Sequence, residues 1–294
     1  MKTSQKNLRT VAFLAAALIA TTAGAVPISF DPFPTGTGGY NTAALHNQGP
    51  TASPITGFTG TWTGNTGLVT VESAGLDAPN VVETGGAVEY NLATYGDFSR
   101  SMERSFTPSA VANGDTLYFA GIVRTTSTQC NNSFFALASW SDDANAAFQV
   151  GIGINWSDFC VNFGPRSGGT TIDFPVWEAN TDYHVVIENT VNQGGSQSWD
   201  DTVRVWLNPT LDDVQNRKNM VIERTDLSFA SDTDGFDKLS IASDDNLDTD
   251  QLDLYFDELV HTRDVADLNL IPEPGTLGIL GMSGLIALLR SRKV

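Results

Sequence analysis

Acidic side chains are concentrated in one stretch near the end of the chain, where they could bind a metal ion. Asp232, Asp234 and Asp237 surround Gly235, and more aspartates follow within 244–250. Calcium takes about six to eight oxygen ligands, which carboxylates around a glycine turn can supply. The EF-hand pattern is incomplete, because no glutamate closes the loop. A set of solvated turns, in which the aspartates keep the loops soluble, is the alternative.

Tryptophan is the second residue type that could contact a ligand. Trp156 and Trp199 lie in short segments rich in serine, asparagine and glycine, as expected for loops. An exposed indole ring is large and flat and can stack on a sugar ring. We therefore predict glycan contacts at these two tryptophans, with burial in a core as the alternative reading.

Motifs for catalysis are missing from the sequence. The three histidines, His46, His184 and His261, are not paired at metal-ligand spacing, and we expect them on strand or loop surfaces. Glycoside hydrolysis needs two carboxylates that flank the scissile bond at a defined separation, and no pair with such a spacing is evident in the sequence. The sequence predicts a protein that is not an enzyme, although a long-range carboxylate pair stays open.

The charge balance excludes one class of partner. The 294 residues carry 16 Lys and Arg against 34 Asp and Glu, a formal net charge of −18. Nucleic acid binding depends on basic residues that neutralise phosphates, so we expect no nucleic acid partner. An acidic surface instead favours solubility and divalent cations.

The residues between the two chain ends predict an all-β domain. Short apolar runs alternate with polar residues, for example over 183–188, 203–208 and 252–257, and turn residues separate them. This pattern is typical of an antiparallel β-sandwich, which we predict over residues 26–268. The glycine- and threonine-rich stretch 32–67 predicts a loosely structured lead-in that ends in an edge strand near 67–72.

The N-terminal residues 1–25 are typical of a secretory signal peptide. Basic residues precede the apolar run 11–20, and Ala23 and Ala25 form a small-x-small cleavage pattern. This predicts export through the Sec machinery. In an exported protein, Cys130 and Cys160 are expected to form a disulfide, with free thiols as the alternative.

The C-terminal residues, 269–294, resemble a PEP-CTERM sorting signal. Pro272, Glu273 and Pro274 precede an apolar stretch and a basic cluster at 290–293. The resemblance implies processing by an exosortase. The stretch 275–289 would be about 22 Å long as a helix, shorter than the ~30 Å hydrocarbon core. We expect a hydrophobic helix that anchors the protein transiently in the inner membrane, with a permanent anchor as the alternative.

The middle of the chain resembles the concanavalin A-like, or LamG-like, jelly roll of secreted PEP-CTERM proteins. The resemblance rests on three places: Phe30-Asp31-Pro32-Phe33 with Gly57–Trp62, the segment 201–209, and Tyr255–Leu259. It implies a jelly roll that binds glycans, flanked by an N-terminal signal helix and a C-terminal hydrophobic helix. It also implies Asp257, on the last strand, as a further calcium ligand.

These observations lead to one leading functional hypothesis and two alternatives. The leading hypothesis is an exported, exosortase-processed, non-enzymatic protein of the cell surface or extracellular matrix that associates with polysaccharide. The first alternative is a calcium-dependent carbohydrate-binding module, which shares the polysaccharide partner. The second is a divergent glycan hydrolase or lyase.

Overall fold

A computed structural model describes residues 26–64, 69–91, 100–126, 135–141, 149–155, 158–164, 170–174, 177–191, 201–227, 236–244 and 253–271. The strands are β1 (Ser29–Asp31), β2 (Thr63–Gly64), β3 (Val69–Glu72), β4 (Ala87–Asn91), β5 (Arg100–Ser105), β6 (Thr116–Thr125), β7 (Phe135–Ser141), β8 (Gln149–Asn155), β9 (Asp158–Gly164), β10 (Thr170–Asp173), β11 (Tyr183–Thr190), β12 (Asp201–Leu207), β13 (Ile222–Leu227), β14 (Lys238–Asp244) and β15 (Asp253–Thr262). The helices among these residues are α1 (Leu211–Gln215) and a 3₁₀ helix (Val265–Leu268).

The strands form two antiparallel sheets. Sheet 1 has the order β13-β12-β11-β6-β15-β4-β3, and β1 also pairs with β15; sheet 2 has the order β10-β9-β8-β7-β14-β5-β2. The prediction of an all-β, antiparallel sandwich is therefore confirmed. The two flanking helices expected at 1–25 and 275–289 lie outside the described residues.

The main core lies between the two sheets. Alternate side chains of sheet 1, such as Phe119 and Val185, face alternate side chains of sheet 2, such as Trp140 and Ile241, and all four are buried. This is the consequence of the two-residue period of a strand, which sends every second side chain to the same face. The opposite side chains of sheet 1 point away from sheet 2, onto what we call the outer face of sheet 1.

Part of that outer face is covered by the chain itself. Ala120, Val186 and Trp206 pack there against Val214 of α1 and Leu268 of the 3₁₀ helix. A capping box starts α1: Thr210 accepts a hydrogen bond from the backbone N–H of Asp213, and the Asp213 carboxylate accepts one from the backbone N–H of Thr210. The helix is thus fixed over an apolar patch, and residues of the loop between β3 and β4, such as Leu76 and Val81, pack on the same face around Ile122.

The segment before β3 is more ordered than the sequence predicts. The Asp31 carboxylate accepts hydrogen bonds from Tyr40 and from Arg104 Nη1, the latter at 3.2 Å, and Trp62 Nε1 donates to the Tyr40 hydroxyl at 2.9 Å. All four side chains are buried. The expected loose lead-in is wrong, because two of the motifs that carry the jelly-roll resemblance meet in this buried network. Only the edge strand was predicted correctly, as β3.

The expectation of a transient inner-membrane anchor is wrong for the part of the chain that the structure describes. No helix there is long and apolar enough to cross a bilayer. The longer of the two described helices, α1, has 5 residues. The cleavage site Ala23 and Ala25 and the motif Pro272–Pro274 lie outside the described residues, and processing by Sec and exosortase stays a prediction.

Candidate functional site

The predicted acidic tract is divided by a strand that the sequence analysis did not identify. Asp237 precedes β14 and lies beside the end of β7, with its backbone N–H bonded to Ser141 O at 3.1 Å. The second group of aspartates begins at Asp244, at the other end of the 7-residue strand, about 23 Å away. Asp232 and Asp234 lie outside the described residues.

Asp257 lies on the outer face of sheet 1 and not near Asp237. Its Oδ2 accepts a hydrogen bond from Leu76 N at 3.0 Å and its Oδ1 accepts one from Glu258 N at 2.7 Å. Burial, and then the charge of Glu258, raises the pKa of Asp257 to about 9. The structure therefore does not bring Asp257 together with Asp237, because β14 belongs to sheet 2 and the Asp257 side chain points away from that sheet.

A β-bulge gives Glu258 an orientation that alternation does not predict. The ladder with β6 shifts between Asp257 and Val260, and Glu258 has a φ of 49°. The Glu258 carboxylate accepts a hydrogen bond from Thr84 N at 2.6 Å, and burial raises its pKa to about 7. Asp257 and Glu258 thus both bind the loop between β3 and β4.

These two buried carboxylates hold a loop in place and do not form a metal centre. Among the described residues, no group of three or more His, Cys, Asp or Glu side chains could hold a metal ion. The carboxylates of Asp257 and Glu258 accept backbone N–H groups instead. A calcium site thus stays a prediction for the tract around Asp232 and Asp234.

Two histidines are in the interior, contrary to the surface positions expected for them. His261 faces the main core, where its ring stacks on Phe119 at 4.6 Å between centroids and contacts Phe106 and Phe236 edge-on. His184 is buried on the outer face of sheet 1. Burial lowers the pKa of each imidazole to about 3, so both are neutral near pH 7.

Beside the apolar patch, the outer face of sheet 1 carries two rows of polar side chains. In the first row, Thr190 of β11 pairs with Thr116 of β6 and with Thr202 of β12. In the second row, Glu188 pairs with Tyr118 and Arg204, and Arg204 pairs with Glu223 of β13. We call this surface the threonine–arginine face, and it comprises Thr116, Tyr118, Glu188, Thr190, Thr202, Arg204, Arg217 and Glu223.

Glu188 is the buried centre of the threonine–arginine face. The exposed fraction of its side chain is 1%, and it accepts hydrogen bonds from Arg204 Nη1 at 2.6 Å and from Arg217 Nε at 3.1 Å. The Tyr118 hydroxyl lies 3.3 Å from its second oxygen. Burial, and then the Glu188 charge, raises the pKa of Tyr118 to about 12, so the phenol keeps its proton and donates it.

The two arginines reach solvent from this buried anchor. Arg217 is 50% exposed and Arg204 16%, and Arg204 Nε also donates to Glu223 at 2.9 Å. Arg217 follows α1 and has a φ of 51°. The threonine side chains, the two guanidinium groups and the Tyr118 ring therefore lie on the same side of sheet 1. The strand pairing and the turn after α1 hold them in place. The sequence signal for it was the alternate polar positions of β6, β11 and β12.

The other predicted site residues fall largely outside the described residues. Trp156 follows β8, and Trp199 is three positions before Thr202, but neither is among them. Cys160 is buried in β9, while Cys130 is not described, so the disulfide stays a prediction.

No protein-family model matches this sequence, and no curated protein matches it. Solved structures that resemble it include an endo-1,3-beta-glucanase from Streptomyces sioyaensis, at 10% identity, with 82% of this chain and 97% of that chain covered and a TM-score of 0.46. The binding domain of botulinum neurotoxin serotype D shares 10% identity over 78% of this chain and 49% of that chain, with a TM-score of 0.44.

A structure of botulinum neurotoxin type C, whose cell entry depends on two ganglioside molecules, shares 11% identity over 77% of this chain and 49% of that chain, with a TM-score of 0.41. This chain spans about half the length of the two neurotoxin structures.

Proposed function

We propose that this protein is a non-catalytic carbohydrate-binding module of the concanavalin A-like type, and that the threonine–arginine face contacts the glycan. The observation that carries the proposal is the placement of Thr116 and Thr202 on either side of Thr190, beside Tyr118 and Arg204. Glycans present dense hydroxyl groups, which bind to side chains that both donate and accept hydrogen bonds. The hydroxyls of Thr116 and Thr202, two strand spacings of about 4.8 Å apart, offer such groups on either side of Thr190, whose own hydroxyl oxygen is buried.

The same face does not suit hydrolysis. A glycosidase needs one carboxyl group that donates a proton and a second that acts as base or nucleophile. The two carboxylates of the face, Glu188 and Glu223, both accept hydrogen bonds from Arg204. Both therefore act as hydrogen-bond acceptors that position an arginine, and neither is placed as a proton donor.

The test is a glycan array probed with the full chain, followed by titration of the glycans that bind. The variant Thr116→Val with Thr202→Val removes two hydroxyls and keeps the β-branched shape that strands favour. We expect an affinity loss of about thirtyfold, since each of the two neutral hydrogen bonds contributes about 1 kcal/mol. Thr70→Val is the matched control, because Thr70 lies on β3, at the far edge of the same sheet. Equal affinities for the double variant and the wild type would contradict the proposal.

A further inference from the structure

The hydrogen-bond donors and acceptors of the threonine–arginine face are unequally used. Both oxygens of Glu188 already accept hydrogen bonds, from two arginines and from Tyr118. A guanidinium group has five N–H donors. Arg217 uses only its Nε among the described residues, and Arg204 uses its Nε and Nη1. The face therefore has N–H donors to spare, while its central acceptor is saturated.

From this imbalance we infer that the ligand is an acidic glycan, whose carboxylate or sulfate group binds the remaining N–H groups of Arg217 and Arg204. An anionic group only accepts hydrogen bonds, so it matches a surface with surplus donors. Guanidinium groups bind such anions through two parallel, charge-assisted hydrogen bonds, which are about twice as strong as neutral ones. This inference rests on the proposed function and names the class of its ligand.

The anchoring of the two arginines lowers the cost of binding. Arg217 is held at its Nε by a buried carboxylate, so its half-exposed guanidinium group is already oriented before a ligand arrives. Preorganised side chains lose less conformational entropy on binding. A lysine on the same loop, Lys218, is 56% exposed and pairs with Asp212 instead, so it offers a charge without this orientation.

The net charge of −18 opposes a polyanion, but only at long range. At an ionic strength of about 0.15 M the Debye length is about 8 Å, so distant carboxylates are largely screened. Contacts at hydrogen-bond distance are screened much less. Binding is therefore expected at physiological salt.

The experiment compares two acidic polysaccharides with their neutral counterparts, using the full chain and calorimetric titration at physiological salt. Polygalacturonate is paired with its methyl ester, and dextran sulfate with dextran. We expect at least one acidic polymer to bind about tenfold tighter than its neutral counterpart. The pair that shows the difference identifies the group as carboxylate or sulfate.

Three variants assign the effect to the guanidinium group. Arg217→Gln should lower the affinity for the acidic polymer about tenfold, to that of the neutral one. Arg217→Lys should restore part of it, because an ammonium group keeps the charge but not the planar fork. Lys218→Gln, the matched control, should bind as the wild type does.

Three results would overturn the inference, and they differ in what they imply. Equal binding of acidic and neutral polymers would refute the anionic ligand and leave the carbohydrate-binding function standing. Binding to none of the four polymers, together with an empty glycan array, would refute both. An acidic preference that survives Arg217→Gln would also refute the inference, because it would place the anion elsewhere.

Discussion

The stability of the domain should fall in acid because of a histidine in its core. His261 is fully buried, and its ring nitrogens Nδ1 and Nε2 have no hydrogen-bond partner among the described residues. Burial, and then the charge of Arg263, lowers its pKa from 6.5 to about 3. In the unfolded chain the imidazole binds a proton near pH 6.5, whereas in the folded chain it does so only near pH 3. Stability is therefore intact above pH 6.5 and is lost as the pH falls towards 3.

The size of the effect follows from the two pKa values. At pH 4.5, which is about two units below the pKa of the imidazole in the unfolded chain, protonation lowers the free energy of the unfolded state by about 3 kcal/mol. The folded state gains almost nothing, because its imidazole is still largely unprotonated. His261→Phe removes the titrating group and places a ring among the rings of Phe106, Phe119 and Phe236. The loss of stability between pH 8 and pH 4.5 should then be about 3 kcal/mol smaller than in the wild type.

The assay is urea unfolding of both proteins at the two pH values, followed by tryptophan fluorescence. The raised pKa values of Asp31 and Asp257 also give pH dependence, but they are common to both proteins and cancel in the difference. Phe106→Leu is the control, since it weakens the same cluster without a titrating group and should cost the same at both pH values. An unchanged pH dependence in His261→Phe would refute the reasoning.

Three further predictions concern other buried or acidic groups. Because the pKa of Asp257 is raised in the folded state, the free energy of unfolding should fall as the pH rises from about 4 to about 9. Asp257→Asn should make this fall smaller, which urea unfolding at both ends of that range would show. Arg104→Met should cost about 3–5 kcal/mol of unfolding free energy, because it leaves Asp31 buried without its charged partner, and combining it with Asp31→Asn should recover part of the loss. If the calcium prediction holds, millimolar calcium raises the melting temperature and chelator reverses it; the rise should vanish in Asp232→Asn with Asp234→Asn, and a full rise there would contradict the prediction.

The sequence was sufficient for the strands that have a clear period of two. Residues 183–188 and 203–208 alternate cleanly, and the structure has β11 and β12 there. It was insufficient for β14, because aspartates on both sides of Leu239–Ala242 resembled one continuous loop. Composition averages over a window, and a short central strand between two acidic turns is lost in that average.

The candidate site could not be predicted from the alternation of apolar and polar residues alone. Alternation puts Thr116 and Tyr118 on one face of a strand, but it does not say which distant strand lies beside them. Thr190 is more than 70 positions away in the chain, and only the antiparallel register with β6 places it opposite Thr116. The Glu258 bulge is a second case, since one extra residue changes the face of every residue that follows.

The threonine–arginine face and the apolar patch beside it depend on the same segment of chain. Arg204 and Trp206 are two positions apart on β12 and point to the same side, yet Trp206 is buried, with its Nε1 donating to Lys218 O at 2.6 Å. The segment between β12 and β13 produces this difference, because α1 covers Trp206 and the following turn brings Arg217 to Glu188. A shorter connection could not do both, since it would expose an apolar patch and remove the second guanidinium group from the polar one. The apolar patch and the ion pair of Arg217 with Glu188 thus both depend on this one connection.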